Sequence, residues 1–368
     1  MATFLVMAGG TGGHVFPALA LAEALRARQH RVVWMGSREG LEARLVPAAG
    51  FPIEWIAVTG LRGRGPVGWL LAPLRVARAV WQALGAMRRV RPAVVIGLGG
   101  FASGPGGIAA WLTRRPLLVH EQNAVPGFTN RVLARVATKV FEAFPGSFGA
   151  AAGRVECVGN PVRAAIAAQP APRARYLDRT GRVRLLVVGG SQGAQALNAV
   201  VPQALARLAS DLPFEVRHQC GAKHVAETST AYASAGVSAA VTPFIDDIAA
   251  AYAWADLVVC RSGAMTVSEL AVVGLPAVLV PFPAAVDDHQ TANARWLVAA
   301  GAATLLPQAE LTPQRLAATL GTLTERRALL EMSERGRAIA RVDALPRLVA
   351  ACELLAAPAA RLDEKGAA

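Results

Sequence analysis

Short β-branched runs that stop at glycine alternate along the chain with Ala/Leu-rich segments of helical spacing, the pattern of βαβ units feeding a parallel sheet. In the first half, strands are expected from Thr3 to Ala8, Val32 to Met35, Ala93 to Gly97 and Leu117 to His120, with a helix from about Pro17 to Arg28. The scheme restarts from Val183 to Val188 and continues through Phe214 to Gln219, Ala239 to Thr242, Leu257 to Cys260 and Ala277 to Val280. The two opening turns correspond, Gly9-Gly10-Thr11-Gly12-Gly13-His14 in one half and Gly189-Gly190-Ser191-Gln192-Gly193-Ala194 in the other. An α/β protein of two Rossmann-like domains with parallel sheets is therefore expected, with the crossing at Val158 to Arg163. The domains are placed at 1–160 and 161–340. Residues 341–368 supply a helix, amphipathic from about Leu345 to Ala356, that no strand follows and that straps back across either domain, the N-terminal one being expected, followed by a flexible tail.

Composition supports this division. At 368 residues and 54% apolar content the chain exceeds what one hydrophobic core ordinarily supports. Four separated cysteines without a C-x-x-C pair suggest neither a disulfide framework nor a zinc knuckle, and fit a reducing cytoplasm. The opening MATFLVMAGG has no basic leader, so a secretory signal is not expected. The uncharged stretch from Pro92 to Thr113 is long enough to span a bilayer, but its glycines and Pro105 make strand, loop and helix the better reading.

Charge adds one feature. The net charge is +13, and the segment from Trp55 to His120 holds nine arginines and no Asp, Glu or Lys. Such a patch suits nucleic acid or an anionic membrane surface, or else reflects an Arg-rich codon bias on a solvated face. Here Trp69, Leu70, Leu71, Leu74, Trp81 and Leu84 interleave with Arg75, Arg78, Arg88 and Arg89, as on an interfacial helix. Leu70, Leu74, Trp81 and Leu84 also fit a plain core stripe, which leaves Trp69, Leu71 and Trp111 as the better membrane residues.

The candidate chemistry lies where strands end. A glycine turn between strand and helix lets backbone amides approach a phosphate at the positive end of the helix dipole. Neither opening turn matches G-x-G-x-x-G, and no acidic residue closes the strand from Val32 to Met35, so a dinucleotide oxidoreductase is unsupported. The alternative for each loop is a tight turn that needs glycine only for its backbone. His14 stands at a helix start between glycines and a ligand position, and its near-neutral pKa suits it to take a proton from an attacking hydroxyl. A third glycine cluster, Gly99 to Gly107, precedes His120-Glu121-Gln122-Asn123, a polar run that is either a ligand edge or a cap for the helix starting near Thr129. In the second half, Arg261 and the helix after it suit a diphosphate, and Glu269 suits a cap or a ribose diol. Asp287 to Asn293 forms another polar run after a Pro-rich loop. No Asp-x-Asp occurs, so no metal is inferred, and leaving-group charge falls to helix N-termini and arginine.

Taken in order, GGTGGH (9–14), SGPGG (103–107), HEQN (120–123), GNPVR (159–163), GGSQGA (189–194), FIDD (244–247), RSGA-TVSE (261–269) and DHQ--NA (288–294) closely resemble the MurG family. These are GT-B glycosyltransferases of bacterial peptidoglycan synthesis, and the likeness runs along nearly the whole chain. The resemblance implies a GT-B fold whose sheets face a central cleft, an N-terminal acceptor and membrane domain, and a C-terminal UDP-GlcNAc domain. It implies inverting transfer of GlcNAc from UDP-GlcNAc to the C4 hydroxyl of MurNAc in lipid I, giving lipid II and UDP, without a cofactor. It also implies peripheral residence on the cytoplasmic face of the inner membrane, cell-wall-synthesis proteins as partners, and no nucleic acid.

By position, the donor contacts implied are Thr11, Gly12, Gly13, Asn123, Arg163, Ser191, Ile245, the run Ala264, Met265, Thr266, Val267, Ser268 and Glu269, and Gln290. Further candidates are Arg261, Asn293 and Glu121. Glu269 would hold the ribose, the Ile245 backbone the uracil, Ser191 with its loop the diphosphate, and Gln290 and Asn293 the GlcNAc hydroxyls. His14 would be the base. Phe101 stands where some members have Tyr, and His289 where some have Gln. Other readings are a different GT-B enzyme, such as a lipid glycosyltransferase or a UDP-GlcNAc epimerase, or a nucleotide-binding membrane scaffold without catalysis.

Overall fold

A computed structural model describes residues 1–58, 72–149, 154–190, 193–208 and 213–357. The chain divides into two compact units, Met1–Pro161 together with the chain from Asp343 onward, and Val162–Val342.

In unit 1 the strands are β1 (Thr3–Met7), β2 (Arg31–Gly36), β3 (Ile53–Trp55), β4 (Val94–Gly97), β5 (Leu117–Glu121), β6 (Lys139–Glu142) and β7 (Val155–Cys157). They pair in parallel in the order β3-β2-β1-β4-β5-β6-β7. β1 is apolar at consecutive positions because helices cover both faces of the sheet. Phe4 and Val6 join Leu21, Leu25 and Trp34 on one side, whereas Leu5 and Met7 join Met35, Met87 and Ala109 on the other. The strand order reverses direction between β1 and β4, the switch point at which open α/β sheets form a crevice beyond their carboxyl ends.

The first helix, Gly12–Ala27, begins earlier than the expected Pro17. Glycines in a first turn lose little, because the amides there have no intrahelical partner in any case. The helix Ala344–Ala356 belongs to unit 1. Its Leu348, Val349 and Cys352 are buried among Leu21 and Leu25, and Glu353 binds Arg28 at 2.8 Å and His30 at 3.1 Å.

The helix Ala72–Val90 corrects the core-stripe expectation. It buries Ala79, Ala83, Ala86, Met87 and Val90, while Leu74 and Trp81 are 72% and 75% exposed. Only Leu84 packs partly against the core, and Leu70 lies outside the described residues. The reason is steric. The neighbouring helix Ser103–Leu112 is built of Gly, Ala and Pro at its buried positions, so the two helices meet through small side chains and large ones are displaced outward. The glycine cluster splits accordingly. Gly99 and Gly100 form the turn, whereas 103–107 is helix, and a Cβ on Gly106 would overlap the Met7 sulfur.

Unit 2 repeats the plan with β8 (Val183–Val188), β9 (Phe214–Gln219), β10 (Ala239–Thr242), β11 (Leu257–Cys260), β12 (Ala277–Leu279) and β13 (Ala303–Leu305). All pairings are parallel, in the order β10-β9-β8-β11-β12-β13. Its core holds Leu185, Val187, Leu197, Val201, Phe214, Tyr232 and Val259. Among them sits His218, fully buried, with Nδ1 2.9 Å from the Tyr232 hydroxyl and Nε2 3.0 Å from Asn198 Oδ1.

Burial pushes the His218 imidazole down to about 4 from an ordinary 6.5, and burial lowers His120 in unit 1 as well. Above pH 6.5 both the folded and unfolded states carry a neutral ring, and full stability is present. As pH falls towards 4 the unfolded chain takes up a proton that the folded one refuses, so stability declines, by about 3 kcal/mol for His218 alone. Urea unfolding should therefore show a midpoint that drops between about pH 7 and about pH 4.5, with a smaller drop in His218→Gln. An equal drop in that variant would refute the assignment.

Candidate functional site

In unit 1 the polar residues gather beyond the carboxyl ends of β1, β4 and β5. The first glycine loop passes from β1 into the helix at Gly12. Thr11 is extended and its side chain makes no cap bond, so no side chain closes that first turn. The loop is instead held from beneath by Glu42, a buried carboxylate. Its Oε2 accepts the Gly10 amide at 2.9 Å, and its Oε1 accepts the Ser37 amide and hydroxyl at 3.1 and 2.8 Å.

His14, half-buried in the first turn, places Nδ1 2.8 Å from Gln122 Oε1. The turn after β4 fits closely against this loop. Gly99 and Gly100 both have positive φ, +102° and +85°. A Cβ at 99 would stand 2.7 Å from His14 Nδ1, and one at 100 would overlap the Gly9 carbonyl oxygen.

Glu121 at the end of β5 is almost wholly buried, and both its oxygens are engaged within the protein. Oε1 accepts the Asn123 amide (2.9 Å) and side chain (3.1 Å), and Oε2 accepts the Gly127 amide (3.1 Å) and Asn130 Nδ2 (2.8 Å). Glu121 therefore braces the 123–127 loop and sets the position of Asn123. Asn160 Nδ2 donates to the Gln122 carbonyl at 3.0 Å, which ties the polar run to the end of unit 1.

In unit 2 the helix Ala264–Val273 starts after an extended Gly263, again with no side-chain cap, so its amide end is open to an anion. Within the run 264–269, Val267 is core, Ala264 is buried, and Met265, Thr266 and Ser268 are partly exposed. Glu269 is 8% exposed. Arg163 Nη2 lies 3.5 Å from its Oε1, and the Tyr252 hydroxyl donates to Oε2 at 3.2 Å. Burial raises the Glu269 pKa, and the Arg163 charge and the hydrogen bonds from Tyr252 and Arg163 oppose that rise.

Arg261 donates to the carbonyls of Val280 and Pro281, both at 3.2 Å, and to Gln308 Oε1 at 2.6 Å, so its guanidinium braces the loop after β12. Gln290 Oε1 accepts the Phe282 amide of that loop at 2.9 Å, and buried Asn293 donates to the Ser262 carbonyl at 3.3 Å.

The second glycine loop is held by Gln219, which accepts from the Gly190 amide at 3.0 Å and donates to the carbonyls of Gly190 and Pro243, both at 3.1 Å. This links the loop to the partly exposed Ile245 two residues beyond Pro243. Ser191 lies outside the described residues, as do Trp69 and Leu71. Arg78 and Trp111 are exposed and Arg75 is half-buried.

The sequence reading missed Glu42, Gln122, Gln219 and Tyr252 as organising residues. Gln122 lay inside the flagged HEQN run. The bonds of the others to the loops and to Glu269 reach 17 to 32 residues along the chain and leave no local spacing to read.

The profile of the glycosyltransferase family 28 N-terminal domain matches residues 4–142, and that of the family 28 C-terminal domain matches residues 184–345. A protein of Chromohalobacter salexigens is 60% identical over 95% of each chain. It is named UDP-N-acetylglucosamine--N-acetylmuramyl-(pentapeptide) pyrophosphoryl-undecaprenol N-acetylglucosamine transferase. A protein of the same name from Nitrosococcus oceani is 57% identical over 95% of this chain and 97% of its own. The crystal structure of Acinetobacter baumannii MurG superposes with a TM-score of 0.86 at 40% identity, covering 96% of this chain and all of that one. The glycosyltransferase of kitacinnamycin, at 19% identity and a TM-score of 0.72, shares the fold.

The contact between the two turns of unit 1 yields a test. Gly100→Ala adds both a clash with the Gly9 backbone and an unfavourable φ, and should cost about 2–4 kcal/mol of unfolding free energy. Gly127→Ala, with open space and φ −62°, should stay within about 0.5 kcal/mol of the parent. Equal effects in chemical denaturation would show that the close approach is unimportant.

Proposed function

The chain belongs to glycosyltransferase family 28, among the MurG transferases, and on that premise we propose that it moves GlcNAc from UDP-GlcNAc to the C4 hydroxyl of the MurNAc unit of lipid I. The observation that carries the reaction is identity of 60% over 95% of a transferase with that name. The products are lipid II and UDP.

The geometry of each unit supports the following roles. His14, in the open first turn of unit 1, takes the proton from the acceptor hydroxyl as its oxygen attacks C1 of GlcNAc. The bond from C1 to the β-phosphate oxygen breaks, its electron pair leaves with UDP, and a single displacement inverts the anomeric centre. In unit 2 the open amide end of the helix at Ala264 meets the charge growing on the diphosphate. Glu269, kept from full solvation and steadied by Arg163 and Tyr252, accepts from the ribose diol. Gln290 and Asn293, fixed to the 280–282 loop and to Ser262, serve the sugar hydroxyls.

We also propose peripheral docking on the cytoplasmic face of an anionic membrane. No helix among the described residues is long and apolar enough to cross a bilayer. On unit 1, Leu74, Trp81, Trp111 and Leu112 are more than half exposed, with Arg75 and Arg78 among them on the helix Ala72–Val90. Apolar side chains of this kind enter the interface while guanidinium groups meet lipid phosphates.

Labelled UDP-GlcNAc incubated with a lipid I analogue should place label in the acceptor and release UDP. Free epimer or another glycolipid instead would overturn the reaction, and no UDP release would favour a scaffold. His14→Ala should lower kcat by roughly 10²- to 10⁴-fold. Glu269→Gln should weaken UDP binding roughly ten- to a hundredfold. Anionic liposome co-sedimentation should fall with salt, and about fivefold for each of Arg75→Gln and Arg78→Gln, whereas salt-independent binding would contradict the docking face.

A further inference from the structure

An imidazole accepts a proton only through the ring nitrogen that carries none, so a base histidine needs its tautomer fixed as well as its position. Which nitrogen of His14 is bare follows from a chain of hydrogen bonds that begins at a group with no choice.

The carbonyl of Gly159 can only accept, and His120 Nε2 lies 2.9 Å from it, so that nitrogen bears a hydrogen. His120 is fully buried and burial disfavours its charged form, so the ring is neutral and its Nδ1 is bare. Gln122 Nε2 lies 3.0 Å from that Nδ1 and 3.2 Å from the His120 carbonyl oxygen, two acceptors that take both amide hydrogens. The orientation of the Gln122 amide is thereby set, and its Oε1 is the atom that faces His14. At 2.8 Å from an oxygen that can only accept, His14 Nδ1 must donate.

We infer that Gln122, oriented by His120 and the Gly159 carbonyl, is a positioning residue that holds His14 with its hydrogen on Nδ1 and its lone pair on Nε2. Gly99 completes the fixture, since any Cβ there would press on Nδ1 and turn the ring away. A carboxylate in the place of Gln122 would also fix the tautomer, and would in addition stabilise a protonated ring. An amide fixes the tautomer without adding that charge. This inference rests on His14 as the base, and its test separates the two.

The full chain, labelled with ¹⁵N in its imidazoles, is examined by NMR at about pH 8, above the ordinary imidazole range. The His14 signals are identified by their loss in His14→Asn. The parent should show a protonated Nδ1 and a bare Nε2. Gln122→Met, which removes the acceptor, should shift the ring towards the Nε2–H form and lower kcat at least about tenfold, with KM for UDP-GlcNAc changed less than about twofold. Gln122→Ala, which also removes that acceptor, should show the same shift. An Nε2–H ring in the parent, or an unchanged tautomer in Gln122→Met, would overturn the inference, and the parent spectrum alone decides if either variant fails to fold. Unaltered turnover in His14→Ala would remove the base role while leaving the tautomer result standing.

Discussion

A side chain at position 100 has nowhere to go, because the backbone of Gly9 already occupies its space. That contact joins the turn after β1 to the turn after β4 at the point where the strand order of unit 1 reverses. Much of the polar edge depends on it. With the two turns pressed together, Gly99 is carried against His14, and His14 is within reach of Gln122 at the end of β5. A bulkier turn would lift the first loop away from the sheet and separate the histidine from the residue that orients it.

The two glycine loops look interchangeable in sequence, and their supports make them electrostatically different. The first is held by the carboxylate of Glu42, which already takes the Gly10 amide, so an incoming phosphate would meet a negative charge close behind the loop. The second is held by the neutral amide of Gln219, which satisfies both the amide and the carbonyl of Gly190 without adding charge. The open amide end at Ala264 lies in the same unit. Local charge thus supports the diphosphate site proposed in unit 2, and leaves unit 1 with a histidine in an uncapped turn.

Five strands of unit 2 were legible because their apolar positions are consecutive or alternate and stop at glycine, proline, cysteine or a polar residue, and four of them begin and end as read. The strands that escaped, β3, β6, β7 and β13, are three or four residues long and lie towards sheet edges, where half-buried positions weaken the apolar signal. Single candidate residues such as His14 and Glu269 stood out by their place beside a turn. Their pairings did not, since Gln122 lies 108 residues from His14, and Arg163, itself a candidate, lies 106 from Glu269. Periodicity reports which face of an element is buried; it carries no record of what a buried polar atom meets across the fold.

The helix Ala72–Val90 shows how a rule about hydrophobic spacing can point to the wrong residues for a sound reason. Leu74 and Trp81 carry the larger transfer free energies, so a stripe drawn by hydrophobicity selects them over alanine. The partner helix, however, is itself pressed onto the sheet at Gly106, against Met7 and Met35, and onto Leu133 at Gly107, and the residues that the helix Ala72–Val90 buries are mostly alanines. Packing density then decides in favour of the alanines. The displaced leucine and tryptophan form an exposed apolar surface without an acidic residue anywhere on the helix, flanked by arginines. The small-residue interface that the core requires and the amphipathic surface suited to a lipid headgroup layer are therefore two sides of one helix, and each constrains what the other can be.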